Sequence, residues 1–243
     1  MRFLILLAGL LVQAALAQSP SKPLRVLFIG NAILASTDIP GRVANLAQAT
    51  GRAAKIETIT STGYSLEDHL REGKAAQALR QGWDFVVLQQ DAPAADEAAD
   101  FARPVKRFAD AIREAGARPA LFMAWPRGDR MREIREAIVA QRDASSAAGA
   151  MPLPVAEAWL RALAADRRLK LHTGSGTQPS AFGTDLAVLT VYLALFPAQD
   201  FDEAFVDKVA QALGTPAATR DLLFDAATRA LDEPLALEKP RSP

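Results

Sequence analysis

Few side chains in this sequence can do proton-transfer or nucleophilic chemistry. His69 and His172 are its only histidines, and they stand far apart. With no cysteine, a thiolate nucleophile and cysteine-based metal sites are excluded. The spacing offers no metal-ligand motif, so neither a metal nor a cofactor is expected. Ser36, Thr37, Ser61 and Ser65 are candidate hydroxyl nucleophiles, although each also reads as a turn or capping residue. A hydroxyl needs a neighbouring base. His172 is the best-placed one, in a Gly-, Ser- and Thr-rich stretch at 171–182 that also holds Gln178. Its bland reading is a solvated loop histidine. His69 falls inside a helical pattern and reads as a surface or half-buried residue. Asp91 and Asp185 could act as a carboxylate pair if the fold brings them together. Trp125 could stack on a ligand ring or pack in the core.

Alternating strands and helices must position these residues. Residues 24–29 (LRVLFI) form an apolar run without polar alternation, as a strand buried on both faces requires. Asp38 and Pro40 mark a helix start, and Gly51 its stop. Residues 55–60 read as the second strand. Ser65 followed by Asp68 predicts a capped helix running to about Leu79. Residues 84–90 (DFVVLQQ) form the strongest internal strand, followed by a polar loop at 91–95. A helix is expected over much of 96–115, with Pro104 as its start or kink. Residues 120–125 (ALFMAW) give the next strand, 128–148 a charged helix, 153–155 a short strand and 157–166 a helix. The apolar stretch 183–195 predicts a buried helix, and 202–213 and 217–231 two amphipathic ones. This alternation implies an α/β fold: a three-layer, flavodoxin-like parallel sheet with helices on both faces. Ligands in such folds sit at the carboxyl ends of the strands. The loops after Ile29, Thr60, Gln90 and Trp125, and the stretch 171–182, should therefore gather there.

Those loops resemble the sequence blocks of SGNH/GDSL-type hydrolases. RVLFIGN at 25–31 resembles the first block, especially in the branch that reads FIGNS. TGYSL at 62–66 resembles the second, where a glycine amide helps form an oxyanion hole. The strand at 84–90 resembles the third block, which in this branch reads like VVLQEQS, and AWP at 124–126 resembles the strand end that follows. SGTQPSAFG at 175–183 resembles the last block, near DGxHPSxxG. The resemblance spans most of the chain after residue 24. It sets the family serine on Ala32, the aspartate on Ser175 and the histidine on Gln178, and it keeps the second-block glycine as Gly63. Gln89-Gln90-Asp91 departs from the usual pattern of the third-block oxyanion donor.

Acyl transfer by that constellation needs a nucleophile, a base and a carboxylate. Alanine has no hydroxyl, glutamine cannot exchange a proton near neutral pH, and serine carries no charge to steady an imidazolium. The resemblance thus implies a hydrolase scaffold without hydrolase chemistry, a pseudoenzyme. Asn31, Gly63, Gln89, Gln90 and Trp125 remain candidates for ligand or oxyanion contact. Asn31 also suits a structural turn, and Gly63 reads equally as a turn glycine.

The formal net charge is +0 with no basic block, so no nucleic-acid partner is expected. Residues 1–17 read as a cleavable signal peptide: Arg2, an apolar run at 3–12, then Ala15-Leu16-Ala17 before Gln18. That run is too short to span a bilayer, so a periplasmic or secreted protein with no transmembrane segment after cleavage is expected. One domain over 24–234 and a flexible tail over 235–243 are expected. The functional expectation is an exported SGNH-hydrolase-like protein binding a small molecule, a glycan or an envelope protein through the former active-site cleft. The alternatives are an active esterase with relocated catalytic residues, using His172, and an envelope interaction module.

Overall fold

The computed structural model describes residues 22–128, 130–174, 176–197 and 201–237. The expected signal peptide, Ser175 and the tail beyond Leu237 lie outside these described residues. Five parallel strands build the sheet: β1 (Leu24–Gly30), β2 (Ala54–Thr60), β3 (Phe85–Leu88), β4 (Arg118–Phe122) and β5 (Met151–Leu153). Their order is β2-β1-β3-β4-β5. This is the flavodoxin-like order, whose ligand crevice lies at the switch point between β1 and β3.

Alternate residues of β1 feed opposite cores, as the pleat of a strand requires. Val26 and Phe28 join one core with α1 (Ala32–Thr37), α2 (Ile39–Ala49), α7 (Val155–Ala165), α8 (Ala181–Leu195) and α10 (Ala217–Asp232). Leu27 and Ile29 join the other with α3 (Leu66–Glu72), α4 (Lys74–Leu79) and α5 (Ala98–Glu114). α6 (Met131–Ala148) sends Ile134 and Ile138 to the first core and Ala144 and Ala148 to the second. α8 is apolar all round, which is stable only in a fully buried helix. α2, α7 and α10 enclose it, and α9 (Glu203–Leu213) packs on α2. Within this layer Tyr192 and Thr50 share a 2.6 Å hydrogen bond, and burial pushes the Tyr192 hydroxyl pKa up. Among the described residues no helix is long and apolar enough to cross a membrane.

Several elements depart from expectation. The helix expected to run from Ser65 to about Leu79 is two helices, because Gly73 adopts a left-handed φ of 83° that ends α3. α5 continues through Pro104, which lies inside the helix and not at its start. α6 begins at Met131, since the backbone amide of Gly128 is bonded to the Gly176 carbonyl at 2.7 Å. β5 sits two residues earlier than expected. An unexpected helix, α1, starts immediately after β1 with Asn31 as its N-cap. His69 is not a surface residue: it is 1% exposed, on the same face of α3 as Leu66.

Candidate functional site

The carboxyl edge of the sheet is organised around Asn31. Its backbone N–H donates to Gln89 Oε1 at 3.0 Å, its Nδ2 donates to Asp91 Oδ1 at 2.8 Å, and its Oδ1 accepts from the Ile33 amide at 3.0 Å. The last of these satisfies an orphan N–H at the start of α1. Gly30 must be glycine because a Cβ there would overlap Gln89 Oε1 and the Leu34 side chain.

Gln89 departs from the expectation of a ligand-facing donor, while Gln90 borders a cavity but is engaged by backbone groups. Gln89 is 1% exposed, and its oxygen is taken by the Asn31 amide. The oxygen of Gln90 accepts from the Leu66 amide at 3.3 Å, and its Nε2 donates to the Phe101 carbonyl at 3.3 Å. The physical reason is the helices that close over the end of β3. Buried backbone groups at those helix starts need partners, and the two amides supply them.

The second loop carries Gly63 in a left-handed turn with φ of 75°. Ser65 then closes a capping box with Asp68: the carboxylate accepts from the Ser65 amide at 2.9 Å and hydroxyl at 2.7 Å. These two bonds hold the Asp68 carboxyl below the usual carboxylate range. The Ser65 hydroxyl is therefore a cap. Beneath both turns, His69 Nε2 donates to the Gly30 carbonyl at 2.8 Å, and its ring meets Tyr64 edge-on.

The last loop is pinned to the loop after β4. His172 Nε2 donates to the Pro126 carbonyl at 3.1 Å, and Thr173 N–H donates to the Gln178 carbonyl at 2.8 Å. A carbonyl can only accept, so Nε2 carries a proton. His172 is buried, edge-on to Trp159, which stacks parallel on Trp125 at 4.4 Å. This corrects the solvated-loop reading and gives His172 a structural place behind Trp125 and Pro126, which line the site. Trp125 itself is 4% exposed and is chiefly packed, though its edge borders the cleft.

These loops enclose a cleft of about 680 Å³. Asn31, Ala32, Gly63, Asp91, Trp125 and Gln178 all line it, so the fold gathers six sequence-predicted positions in one place. A second cavity of about 470 Å³ adjoins it, sharing Asn31, Gly63 and Asp91 and adding Tyr64 and Gln90. The Ser36 hydroxyl donates to Gln178 Oε1 at 3.4 Å, and the Thr37 hydroxyl donates to the Ile33 carbonyl at 2.6 Å. Asp185 does not join Asp91: it accepts from Arg42 at 2.5 Å and from Thr215 at 3.1 Å, and lines neither cavity. Sequence reasoning missed Glu97, Arg127, Glu133 and Glu136 on the cleft. Arg127, Glu133 and Glu136 belong to the β4–α6 connection and the first turns of α6. That position alone puts them at the carboxyl edge of a parallel sheet.

A parallel sheet in this order, with a cleft at its β1/β3 switch point, defines an SGNH/GDSL-hydrolase-like α/β fold. Solved structures agree. A putative SGNH hydrolase from Slackia heliotrinireducens is 25% identical at a TM-score of 0.58, over 72% of this chain and 100% of that one. A DUF4886 family protein from Bacteroides uniformis is 17% identical at 0.67, over 90% of this chain and 98% of that one. The acetyl xylan esterase AlAXEase is 11% identical at 0.60, over 70% of this chain and 99% of that one. The latter two show a shared fold. No protein-family model and no curated protein matches the sequence.

Proposed function

We propose that this protein is an exported SGNH-hydrolase-like pseudoenzyme that holds a ligand in the β1/β3 cleft without acyl-transfer chemistry. The observation that carries the reading is Ala32 and Gln178 lining one intact cleft with Gly63. In such a site a nucleophile and its base must come within hydrogen-bond reach of each other. Here a methyl group and an amide take their places, and neither can attack a carbonyl or move a proton. An alanine alone could be an isolated loss. Together with Gln178, and with Ser175 at the aspartate position of the resembling family, it vacates every role of the triad. The cleft survives because its walls are backbone turns, helix caps and buried amides, none of which needs the triad.

Two experiments test this. Purified wild-type protein should leave nitrophenyl acetate unhydrolysed above the buffer rate. The combined Ala32→Ser, Ser175→Asp, Gln178→His variant should hydrolyse it at least about 100-fold faster than wild type, the low end of what a positioned general base supplies. Wild-type turnover that His172→Ala abolishes would favour the relocated esterase instead. Export is read from residues 1–17, and N-terminal sequencing of protein recovered from outside the cytoplasm should begin at Gln18.

A further inference from the structure

The two outer strands of the sheet differ in how they are closed to other strands. β5 is three residues long and carries Pro152, and shortness and proline both keep an edge from pairing. β2, at the opposite edge, has seven residues and no proline. It has no bulge either, since Ala54 to Thr60 run in unbroken register with β1. Leu24 N–H donates to the Ala53 carbonyl at 3.0 Å, and Ser61 N–H donates to the Gly30 carbonyl at 3.3 Å. These bonds fix the phase of the ladder. Lys55, Glu57 and Ile59 turn their backbone groups to β1, and Ala54, Ile56, Thr58 and Thr60 turn theirs outward. Among the described residues no group bonds those outward N–H and C=O groups.

The side chains of β2 choose among the ways this edge could pair with a second copy of itself. Lys55 and Glu57 lie on one face, 2.8 Å apart, and both reach solvent. Ile56 lies on the other face, half-buried against the first core. Antiparallel pairing of two β2 strands sets outward residues opposite outward residues and leaves open only which residue sits on the two-fold axis. An axis at Lys55 or at Glu57 sets like charges directly opposite each other, which is destabilising. An axis at Ala54 or Thr58 sets no charge opposite another. An axis at Ile56 sets Lys55 opposite the second copy's Glu57 and Glu57 opposite the second copy's Lys55. These are non-hydrogen-bonded pairs, in which facing side chains come closest. The same axis brings the two Ile56 side chains together and pairs Ala54 with Thr58. Arg52 N–H is already given to the Ala47 carbonyl at 2.7 Å, so the shared ladder ends before it.

From this charge complementarity we infer that two copies of the chain associate through β2, antiparallel about a two-fold axis at Ile56, so that one sheet runs through both. Main-chain bonds at Ile56 and in the flanking Ala54–Thr58 pairs join the copies, and the Lys55–Glu57 pairs fix the register. The interface is separate from the cleft, because no residue of β2 lines either cavity. Each copy therefore keeps its own open cleft in the dimer.

Sedimentation velocity of the purified protein over roughly 1–300 μM tests it, since a small interface dissociates at the micromolar end of the scale. The wild type should pass from monomer to dimer across that range. Thr58→Pro deletes an outward N–H and spares the bonds to β1. It should stay monomeric throughout, with the circular dichroism spectrum of the wild type. Lys55→Glu alone and Glu57→Lys alone each set like charges opposite each other, and each should weaken self-association at least about tenfold. Mixed in equal amounts, these two variants should form a heterodimer about as tightly as the wild type pairs with itself, because every facing pair is again of opposite sign. That recovery separates pairing across the axis from damage to the strand. The chain has no cysteine, so an introduced one reports alone. Ile56→Cys should give a disulfide-linked dimer on mild oxidation, its Cα atoms lying about 5.5 Å apart across the axis, and Thr58→Cys should not. A monomer at every concentration, a dimer that survives Thr58→Pro, mixed variants that do not associate, or a β2 edge that pairs only with a foreign extended peptide would overturn the proposal.

Discussion

Buried carboxylates behind the sheet and carboxylates at its carboxyl edge are handled in opposite ways. Behind the sheet, Asp185 is paired with Arg42 and held by Thr215. Glu157, 3% exposed, is clasped by Arg142, which also donates to the Leu235 carbonyl at 2.6 Å. These pairs tie α2 to α8, α6 to α7, and the chain end to the body. At the edge, Asp91 and Glu97 have hydrogen bonds but, among the described residues, no ion-pair partner. A charge buried for structure must be compensated or it destabilises the fold by several kcal/mol. A charge left uncompensated on a cleft costs less because water reaches it, and it stays available to a ligand. The contrast separates side chains that hold the scaffold from those that can still recognise something.

The largest expected effect lies behind the sheet. Arg42→Ala leaves the Asp185 carboxylate buried without its cation and should lower unfolding stability by about 3 kcal/mol, the low end for a broken buried pair because Arg42 is 28% exposed. A loss below about 1 kcal/mol in a denaturant titration would mean that the pair is not structural. Next comes the scaffold part of the cleft. Asn31→Ala removes the α1 cap and the bond to Asp91 and should cost about 1–2 kcal/mol. Gln178→Ala, in the same cleft, should stay within about 0.5 kcal/mol of wild type. Equal effects would erase the distinction between the two positions.

Ser65→Ala should cost about 1 kcal/mol through the lost cap. Its pH dependence has a defined sign. The folded-state pKa of Asp68 lies below its ordinary value of 3.8 because it accepts hydrogen bonds from Ser65. Its contribution is therefore present above about pH 4 and lost as pH falls through the folded value, so the gap between wild type and Ser65→Ala should narrow in acid. The smallest effect belongs to the edge carboxylates. Asp91→Asn with Glu97→Gln relieves like-charge repulsion and should leave stability unchanged or raise it by a few tenths of a kcal/mol. A marked loss would show that these two carboxylates are structural after all.

The sheet was legible because its strands are short unbroken apolar runs, and a parallel order follows from alternating them with helices. The Ser65–Asp68 cap was legible because it is written in adjacent residues. Other features depended on tertiary packing. α1 is six residues with no apolar period of its own, and its existence rests on Asn31 capping it. Gln89 was misread because polar residues at a strand end can face a cleft or turn inward, and only the helices closing over them decide. His69 was hidden by its charged neighbours, although its spacing of three from Leu66 already placed it on the buried face. The gathering of Ala32, Gly63 and Gln178 was readable from the order of the loops, because a parallel sheet sends every strand-to-helix connection to one edge.

Reaction with a serine-directed fluorophosphonate, followed by intact mass measurement, tests the central claim most directly. Such a reagent forms a covalent bond only with an activated hydroxyl, so it reports the nucleophile without needing the natural ligand. The account predicts an unmodified mass for the wild-type protein and a single adduct at position 32 in the Ala32→Ser, Ser175→Asp, Gln178→His variant. A stoichiometric adduct on the wild-type protein, mapped to any serine or threonine of the cleft, would contradict it.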